Sequence, residues 1–253
     1  MSGGSRIAVA YAIAVFLFAM SCRVSADEAP VQVASLGDAA LSAPPPLDFG
    51  SRNDEPFGLA DFAKPGAVLR QKWHDADRAI RDDLAAVAKC RAENNCGAAA
   101  KAFIALIDAA RPLSGRAQLG AINRAVNLAI AAMTDLAQYG VEDVWSSPLE
   151  TLTTRKGDCE DYAILKIAVL QAAGVAAGDL RLVVVRDPAS NEGHALAAAR
   201  LDGRWVLLDN RRFTLVDAAY SSYRPFFALH LEGGAVAPAL AQSAAGAGTP
   251  YLL

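Results

Sequence analysis

The sequence lacks the features that mark nucleic-acid-binding, nucleotide-binding and membrane-spanning proteins. Its 253 residues contain no cluster of lysine and arginine, which argues against nucleic-acid binding. We find no internal repeat and no glycine-rich phosphate loop, and the N-terminal apolar run, residues 7–20, is short for a bilayer. Histidine and cysteine are scarce, at three and four residues, so each of them can be considered individually as a site residue.

The N-terminus has the organisation of a signal peptide. Arg6 precedes the apolar run, and Val24 and Ala26 are small residues at the −3 and −1 positions, so we expect a signal peptide over residues 1–26. Lipoprotein processing at Cys22 and an uncleaved N-terminal anchor are the alternatives. After cleavage, 22 Lys and Arg face 27 Asp and Glu, a balance of −5, and no membrane span is expected.

Composition and apolar spacing divide the mature chain into three parts. We expect a proline-containing linker over 27–63, a folded domain over 64–232 and a disordered tail, rich in alanine and glycine, over 233–253. Periodicity within the domain predicts helices over about 67–89, 98–110, 116–136 and 159–173, and strands over 180–186, 194–201, 204–209 and 223–231.

Three cysteines remain in the mature chain. Cys90 and Cys96 flank a polar, turn-like segment, and an oxidising compartment would permit a disulfide between them. A metal site there is disfavoured because no nearby histidine or cysteine completes it. Cys159 is left over, which fits a free reactive thiol.

Cys159 lies where a loop ends and a helix begins. Asp158 is a suitable N-cap, and Glu160 and Asp161 suit the positive end of the helix dipole. A helix N-terminus lowers the pKa of a thiol and favours the thiolate, which points to a nucleophile. The alternative is a structural cysteine behind an ordinary acidic cap.

The dipeptide 202–203, Asp-Gly, predicts a tight hairpin that brings His194 and Asp209 together. With these two residues as the loop, His194 and Asp209 become diagonal neighbours on one face, roughly 7–8 Å apart. A register error of one residue would place them on opposite faces. Cysteine, histidine and aspartate in this order suit thiolate attack, proton exchange and imidazole orientation. His74 and His230 have no evident cysteine partner and are taken as structural.

These segments together resemble the bacterial transglutaminase-like cysteine proteinases, the family of periplasmic LapG-type proteases. The resemblance covers about residues 70–231. Five segments carry it in order: 122–127, with Asn123 and Asn127; 143–152; 157–163, followed by Lys166; 193–195, which includes His194; and 208–210, which includes Asp209. It implies a papain-like, transglutaminase-like α+β fold with N-terminal helices, an antiparallel sheet and the nucleophile at a helix N-terminus.

The resemblance also implies roles for individual residues. Cys159 would be the nucleophile, His194 the general base and acid, and Asp209 the orienting carboxylate. Calcium would bind Asp158, Glu160 and Asp161 beside the nucleophile, which agrees with the preference of Ca²⁺ for carboxylate oxygens. Spacing alone leaves open that these acids only cap the helix.

The function implied is that of a periplasmic, calcium-dependent cysteine endopeptidase. Its substrate would be the N-terminal region of a large cell-surface adhesin, whose cleavage releases biofilm cells, and its partner an inner-membrane receptor that responds to cyclic di-GMP. A transglutaminase-type acyltransferase with the same three residues is one alternative. A non-catalytic calcium-binding or receptor-binding module is the other.

Overall fold

Helices precede and pack against an antiparallel sheet in the computed structural model, which describes residues 55–58 and 65–231. The helices are α1 (Ala67–Ala92), α2 (Ala98–Ala110), α3 (Gly115–Ala129), α4 (Asp135–Tyr139), α5 (Pro148–Thr154) and α6 (Cys159–Ala172). The strands are β1 (Ala131–Ala132), β2 (Lys156–Gly157), β3 (Leu180–Arg186), β4 (Gly193–Leu201), β5 (Arg204–Leu208), β6 (Val216–Asp217) and β7 (Arg224–His230). This arrangement confirms the predicted α+β class and the position of Cys159 at the start of a helix.

Five of the strands form one antiparallel sheet in the order β6-β5-β4-β3-β7, and β1 pairs with β2 in a separate parallel pair. Helix α6 packs against β4 and β3 on one face of the sheet. All its residues from Asp161 to Ala172 are buried, because α1, α2, α3 and α5 surround it on the other sides. A second apolar cluster covers the opposite face of the sheet, around Val183, Leu196 and Trp205.

The hairpin between β4 and β5 has the predicted register. Leu201 pairs with Arg204 and Ala197 with Leu208, so the ladder continues toward His194 and Asp209 as expected. Both loop residues have positive φ, 51° at Asp202 and 76° at Gly203, which is the conformation of a type I′ turn. The local chemistry of Asp-Gly is therefore sufficient to set this register.

The prediction of a third helix over 116–136 was wrong beyond residue 129. The chain becomes extended at Ile130, and β1 then pairs with β2, the segment that precedes Cys159. The apolar periodicity continues through Ile130 because this residue is buried, although it is no longer helical. A distant pairing partner overrides the local helical pattern here. The short strand β6 was not predicted.

Several predicted segments lie outside the described residues: the signal peptide, the tail over 233–253 and all of the linker except 55–58. Within that part of the linker, Phe57 packs against the second apolar cluster, the one around Val183, Leu196 and Trp205. The Arg181 guanidinium donates two hydrogen bonds of 2.9 Å to the Glu55 carboxylate, which makes a bidentate salt bridge. Cys90, in α1, forms a disulfide with Cys96, in the loop that leads to α2. Among the described helices, none combines the length and apolar character needed to cross a membrane.

Lys166 is a charged residue placed inside this core. Its side chain is fully buried within α6, and Nζ donates a hydrogen bond to the Leu208 carbonyl at 3.3 Å. Burial lowers the pKa of Lys166 to about 7, although the Asp209 carboxylate favours its charged form. Between pH 7 and about 10.5 the unfolded chain binds more protons at this position than the folded chain does. The free energy of unfolding should therefore rise with pH across this interval.

We expect Lys166→Met to reduce that pH dependence. Methionine has a similar volume and no proton to lose, so the slope contributed by Lys166, at most about 1.4 kcal/mol per pH unit, should disappear. Urea unfolding of both proteins at pH 7, 8, 9 and 10 measures the slope. Lys101→Met, at an exposed position of α2, is the matched control and should retain the wild-type slope. Equal slopes in wild type and Lys166→Met would contradict the assignment.

Candidate active site

The N-terminus of α6 is held in place by the segment that leaves α3. The Ala131 N–H donates to the Arg155 carbonyl and the Met133 N–H to the Gly157 carbonyl, both at 2.9 Å. Gly157 must be glycine, because a Cβ there would lie 2.6 Å from the Asp161 Oδ2 atom. These contacts fix the loop from which Cys159 emerges.

Cys159 is the first residue of α6 and carries a half-buried, free thiol. Asp158 occupies the N-cap position as predicted, but its side chain makes no capping hydrogen bond. The thiol instead donates to Glu160 Oε2 at 3.0 Å, and the Ala195 N–H of strand β4 hydrogen-bonds to the sulfur. The sulfur therefore lies beside the residue that follows His194.

The electrostatic surroundings of Cys159 differ from the prediction. Burial and then the Glu160 carboxylate raise the pKa of the Cys159 thiol above its ordinary value, against the lowering effect of the Ala195 N–H. The expectation that the helix N-terminus favours the thiolate was therefore wrong for this arrangement. It neglected the adjacent carboxylates, whose negative charge opposes ionisation of the thiol.

His194 and Asp209 form a buried hydrogen-bonded pair. The His194 Nε2 atom lies 3.0 Å from Asp209 Oδ1, and the two residues are 2% and 3% exposed. His194 Nδ1 is buried and has no hydrogen-bond partner among the described residues. The imidazole thus has one nitrogen bound to the carboxylate and the other available for proton exchange.

The carboxylate of Asp209 receives further hydrogen bonds. The Arg211 N–H donates to Oδ1 at 2.9 Å, and the Tyr223 hydroxyl donates to Oδ2 at 2.8 Å. Burial alone would raise the pKa of Asp209, but the hydrogen bonds from His194, Arg211 and Tyr223 outweigh it and lower the pKa to about 2. Asp209 is therefore an anion throughout the physiological range.

Two asparagines from the predicted motif hold the chain after β5. Asn127 donates to the Asp209 carbonyl at 2.9 Å and to the Arg212 carbonyl at 3.0 Å. Asn123 is fully buried and donates to the Arg212 carbonyl at 2.8 Å. Helix α3 thus supports the loop that carries Asp209.

The acidic residues near Cys159 form two overlapping groups. Asp158, Cys159 and Glu160 have potential ligand atoms within 4.8 Å of one another, and so do Asp135, Asp158 and Asp161. The three residues predicted as calcium ligands therefore divide between two groups that share Asp158. Asp135, at the start of α4, was not predicted as a ligand. It is distant in sequence from Asp158 and Asp161, and the pairing of β1 with β2 brings it near them.

The second group has carboxylate oxygens that the protein leaves unpaired. Asp135 Oδ2 accepts from the Val144 N–H, and Asp161 Oδ1 accepts from the Ser146 N–H at 2.8 Å. Their other oxygens, with Asp158 Oδ1, are buried and have no partner in the part of the chain that the structure describes. Hard, converging oxygens without donors fit the ligand preference of Ca²⁺.

Burial and mutual repulsion raise the pKa values of Asp158, Glu160 and Asp161. Burial raises the pKa of Asp161 to about 7, and repulsion from Asp158 and Asp135 adds to the effect. Burial and then the charge of Asp158 raise the pKa of Glu160 to about 8, and burial also raises the pKa of Asp158. A nearby cation would offset these costs.

The loop between α4 and α5 covers the acidic group and is tied to α1. Lys72 Nζ lies 2.6 Å from Asp143 Oδ2, and Trp145 Nε1 donates to Asp143 Oδ1 at 2.9 Å. The ring centroids of Trp145 and Trp73 lie 6.5 Å apart, and the two rings pack in a T-shaped arrangement. The loop is thereby positioned to present the N–H groups of Val144 and Ser146 to the carboxylates.

Comparison with known proteins gives both structural and family matches. The chain is similar to LapG of Legionella pneumophila, with 26% identity over 61% of this chain and 88% of that one, at a TM-score of 0.49. The calcium-bound form of the same protein matches with 24% identity over 65% and 93%, also at 0.49. A protein described as a TGase matches with 17% identity over 63% and 38%, at 0.34. Comparison with curated proteins gives no match.

The family match rests on sequence. The model of the bacterial transglutaminase-like cysteine proteinases, abbreviated BTLCP, matches residues 87–228. This range contains Cys159, His194 and Asp209 and covers more than half of the 253 residues. The chain therefore belongs to the bacterial transglutaminase-like cysteine proteinase family and is a cysteine protease that acts on protein substrates.

Proposed function

We propose that the protein is a calcium-dependent cysteine endopeptidase of the periplasm, with Cys159 as nucleophile, His194 as general base and acid, and Asp209 as the orienting carboxylate. The observation that supports this most strongly is the His194 Nε2–Asp209 Oδ1 hydrogen bond together with the unpartnered Nδ1. The sulfur of Cys159 lies against the N–H of the next residue on β4. These contacts support the proposal that the three groups form a proton-transfer relay.

The proposed mechanism proceeds through a thioester. His194 Nδ1 accepts the thiol proton while the Cys159 sulfur attacks the carbonyl carbon of the scissile peptide bond. Asp209 stabilises the imidazolium, which returns the proton to the leaving amine as the C–N bond breaks. Water then attacks the thioester carbon, His194 removes its proton, and the C–S bond breaks as the imidazolium returns that proton to the Cys159 sulfur. The Cys159 N–H, at the first position of α6, is one donor for the oxyanion.

Calcium is proposed to bind Asp158 and Asp161 together with Asp135, with Glu160 beside Asp158. The unpaired oxygens of Asp135, Asp158 and Asp161 support this assignment. When bound, a dication supplies positive charge beside the thiol and opposes the effect of the carboxylates on its ionisation. The main-chain donors of Val144 and Ser146 hold two of these carboxylates in place.

The proposed substrate is the N-terminal region of a large cell-surface adhesin, and the proposed partner an inner-membrane receptor that responds to cyclic di-GMP. Both follow from the family resemblance and from the expected export of the chain. Cleavage of such an adhesin would release cells from a biofilm. The alternative acyltransferase would form the same thioester and pass the acyl group to an amine instead of water.

Substitution of the three proposed residues should abolish or sharply reduce cleavage. We expect no product from Cys159→Ala, and a loss of about 10²–10⁴-fold in kcat from Asp209→Asn, because the imidazole loses its orienting anion. His194→Ala should also lose activity, whereas His74→Ala, at an exposed position of α1, should retain it. Cleavage of an adhesin N-terminal segment from the same source is followed by gel electrophoresis and mass spectrometry.

The products distinguish the proposed function from its alternatives. Amine-linked adducts in place of cleaved polypeptide would identify an acyltransferase. A thiol that is alkylated equally fast in wild type and His194→Ala, without any reaction on substrate, would indicate a non-catalytic binding module. Cleavage that persists in Cys159→Ala would refute the assignment of the nucleophile.

Calcium should stabilise the protein more at pH 8 than at pH 5. At pH 5 protons occupy Asp161 and Glu160, whose pKa values burial raises to about 7 and about 8, and they compete with the metal. At pH 8 and a calcium concentration 100-fold above the Kd, we expect about 2.7 kcal/mol of stabilisation. Thermal unfolding with Ca²⁺ and with EGTA at both pH values measures this difference.

Matched aspartate variants test the ligand assignment. Asp135→Asn should lose most of the calcium-induced stabilisation, because it removes one charged oxygen donor from the group. Asp82→Asn, at an exposed position of α1, should retain it. A calcium response that is unchanged in Asp135→Asn would exclude this residue as a ligand.

A further inference from the structure

Tyr223 joins the proposed catalytic pair from a different part of the sheet. It lies immediately before β7, whereas Asp209 follows β5 and His194 is the second residue of β4. Because neighbouring strands are antiparallel, the end of β5 and the starts of β4 and β7 lie at the same end of the sheet. The topology therefore brings a tyrosine, with only 9% of its surface exposed, to the buried side of Asp209.

The Tyr223 hydroxyl holds the carboxylate oxygen that His194 does not use. His194 Nε2 and the Arg211 N–H are both bonded to Oδ1, whereas Tyr223 donates to Oδ2 at 2.8 Å. Arg212 Nε lies 3.8 Å from Oδ2, beyond hydrogen-bond distance. Rotation of a carboxylate about its final bond is soft, so donors on both oxygens are needed to fix its plane.

The same side chain also contacts the imidazole. The rings of His194 and Tyr223 have centroids 5.7 Å apart and are inclined at 50°. Burial and then the hydrogen bond to Asp209 raise the pKa of Tyr223 to about 12, so the phenol remains a donor at physiological pH. One residue thus supports both members of the pair, through its hydroxyl and through its ring.

We propose that Tyr223 is a positioning residue for catalysis, which fixes the plane of Asp209 and thereby directs His194 Nδ1 toward the Cys159 thiol. This inference rests on the proposed function of the three residues. Tyr223 acts through Asp209 and His194 and takes no part in bond formation. No local sequence signal marks it, since its role depends on the position of β7 beside β3.

Tyr223→Phe removes the hydroxyl and keeps the ring, and it is the principal test in the calcium-loaded protein. We expect kcat for cleavage of the adhesin segment to fall about 5- to 20-fold, with KM changed less than twofold. Loss of the donor leaves Asp209 Oδ2 unpartnered, so the NMR signal of the proton between His194 Nε2 and Asp209 Oδ1 should also change. Tyr220→Phe, 70% exposed and three residues away, is the matched control and should change neither quantity.

Nuclear magnetic resonance of the histidine rings separates this inference from the proposed protease activity. The chain has only three histidines, His74, His194 and His230, so the imidazole signals can be assigned by substitution. A changed signal of the His194 Nε2 proton, which reports the hydrogen bond to Asp209, in Tyr223→Phe supports the positioning role even if the adhesin segment is not cleaved. A His194 Nε2 proton signal and a kcat that both match wild type would overturn it.

A double-mutant cycle distinguishes positioning from general support of the fold. In the Asp209→Asn background, Tyr223→Phe should reduce kcat by less than twofold, because the carboxylate through which it acts is absent. Equal effects in both backgrounds would show that Tyr223 acts independently of Asp209 and would reject the proposal. Thermal unfolding of each variant establishes that the compared proteins are folded.

Discussion

Helix α6 packs against β4 with all residues from Asp161 to Ala172 buried, and this packing sets the position of the groups around Cys159. A helix enclosed on all sides cannot rotate or slide without opening the core. Its first turn is further fixed by the pairing of β1 with β2 and by the contact of Asp161 with Gly157. The thiol therefore meets β4 at Ala195, beside His194, as a consequence of core packing.

The same packing buries several carboxylates near Cys159 without giving each of their oxygens a hydrogen-bond donor. Asp135, Asp158 and Asp161 each leave one oxygen without a donor among the described residues, and burial raises the pKa of Asp158 and of Asp161. The same negative charge acts on Cys159, whose thiol donates to Glu160. Protonation of the acidic group and ionisation of the Cys159 thiol are thus physically linked, because the carboxylates and the sulfur share one desolvated region.

The features that sequence reasoning predicted are those determined by neighbouring residues. The Asp202-Gly203 turn fixes the register of β4 and β5. The proximity of His194 to Asp209 could therefore be predicted from the sequence. Asp135 and Tyr223 could not be identified in this way, since pairing of distant strands brings them to the site. The end of α3 at Ala129 was missed for the same reason. Local patterns specify elements, whereas the supporting contacts of a site depend on tertiary pairing.

The His194–Asp209 side of the site and its acidic side differ in how many of their polar atoms have hydrogen-bond partners within the protein. Asp209 receives donors on both oxygens, its carbonyl is held by Asn127, and Lys166 holds the preceding carbonyl, so the histidine side is rigid without any ligand. The acidic side lacks donors for three buried oxygens and depends on protons or a cation to balance its charge. Because the two sides belong to different elements, a cation can alter the ionisation of Cys159 while His194 and Asp209 keep their geometry. In the proposed mechanism, this arrangement would separate proton transfer by His194 and Asp209 from the acidic group that acts on Cys159.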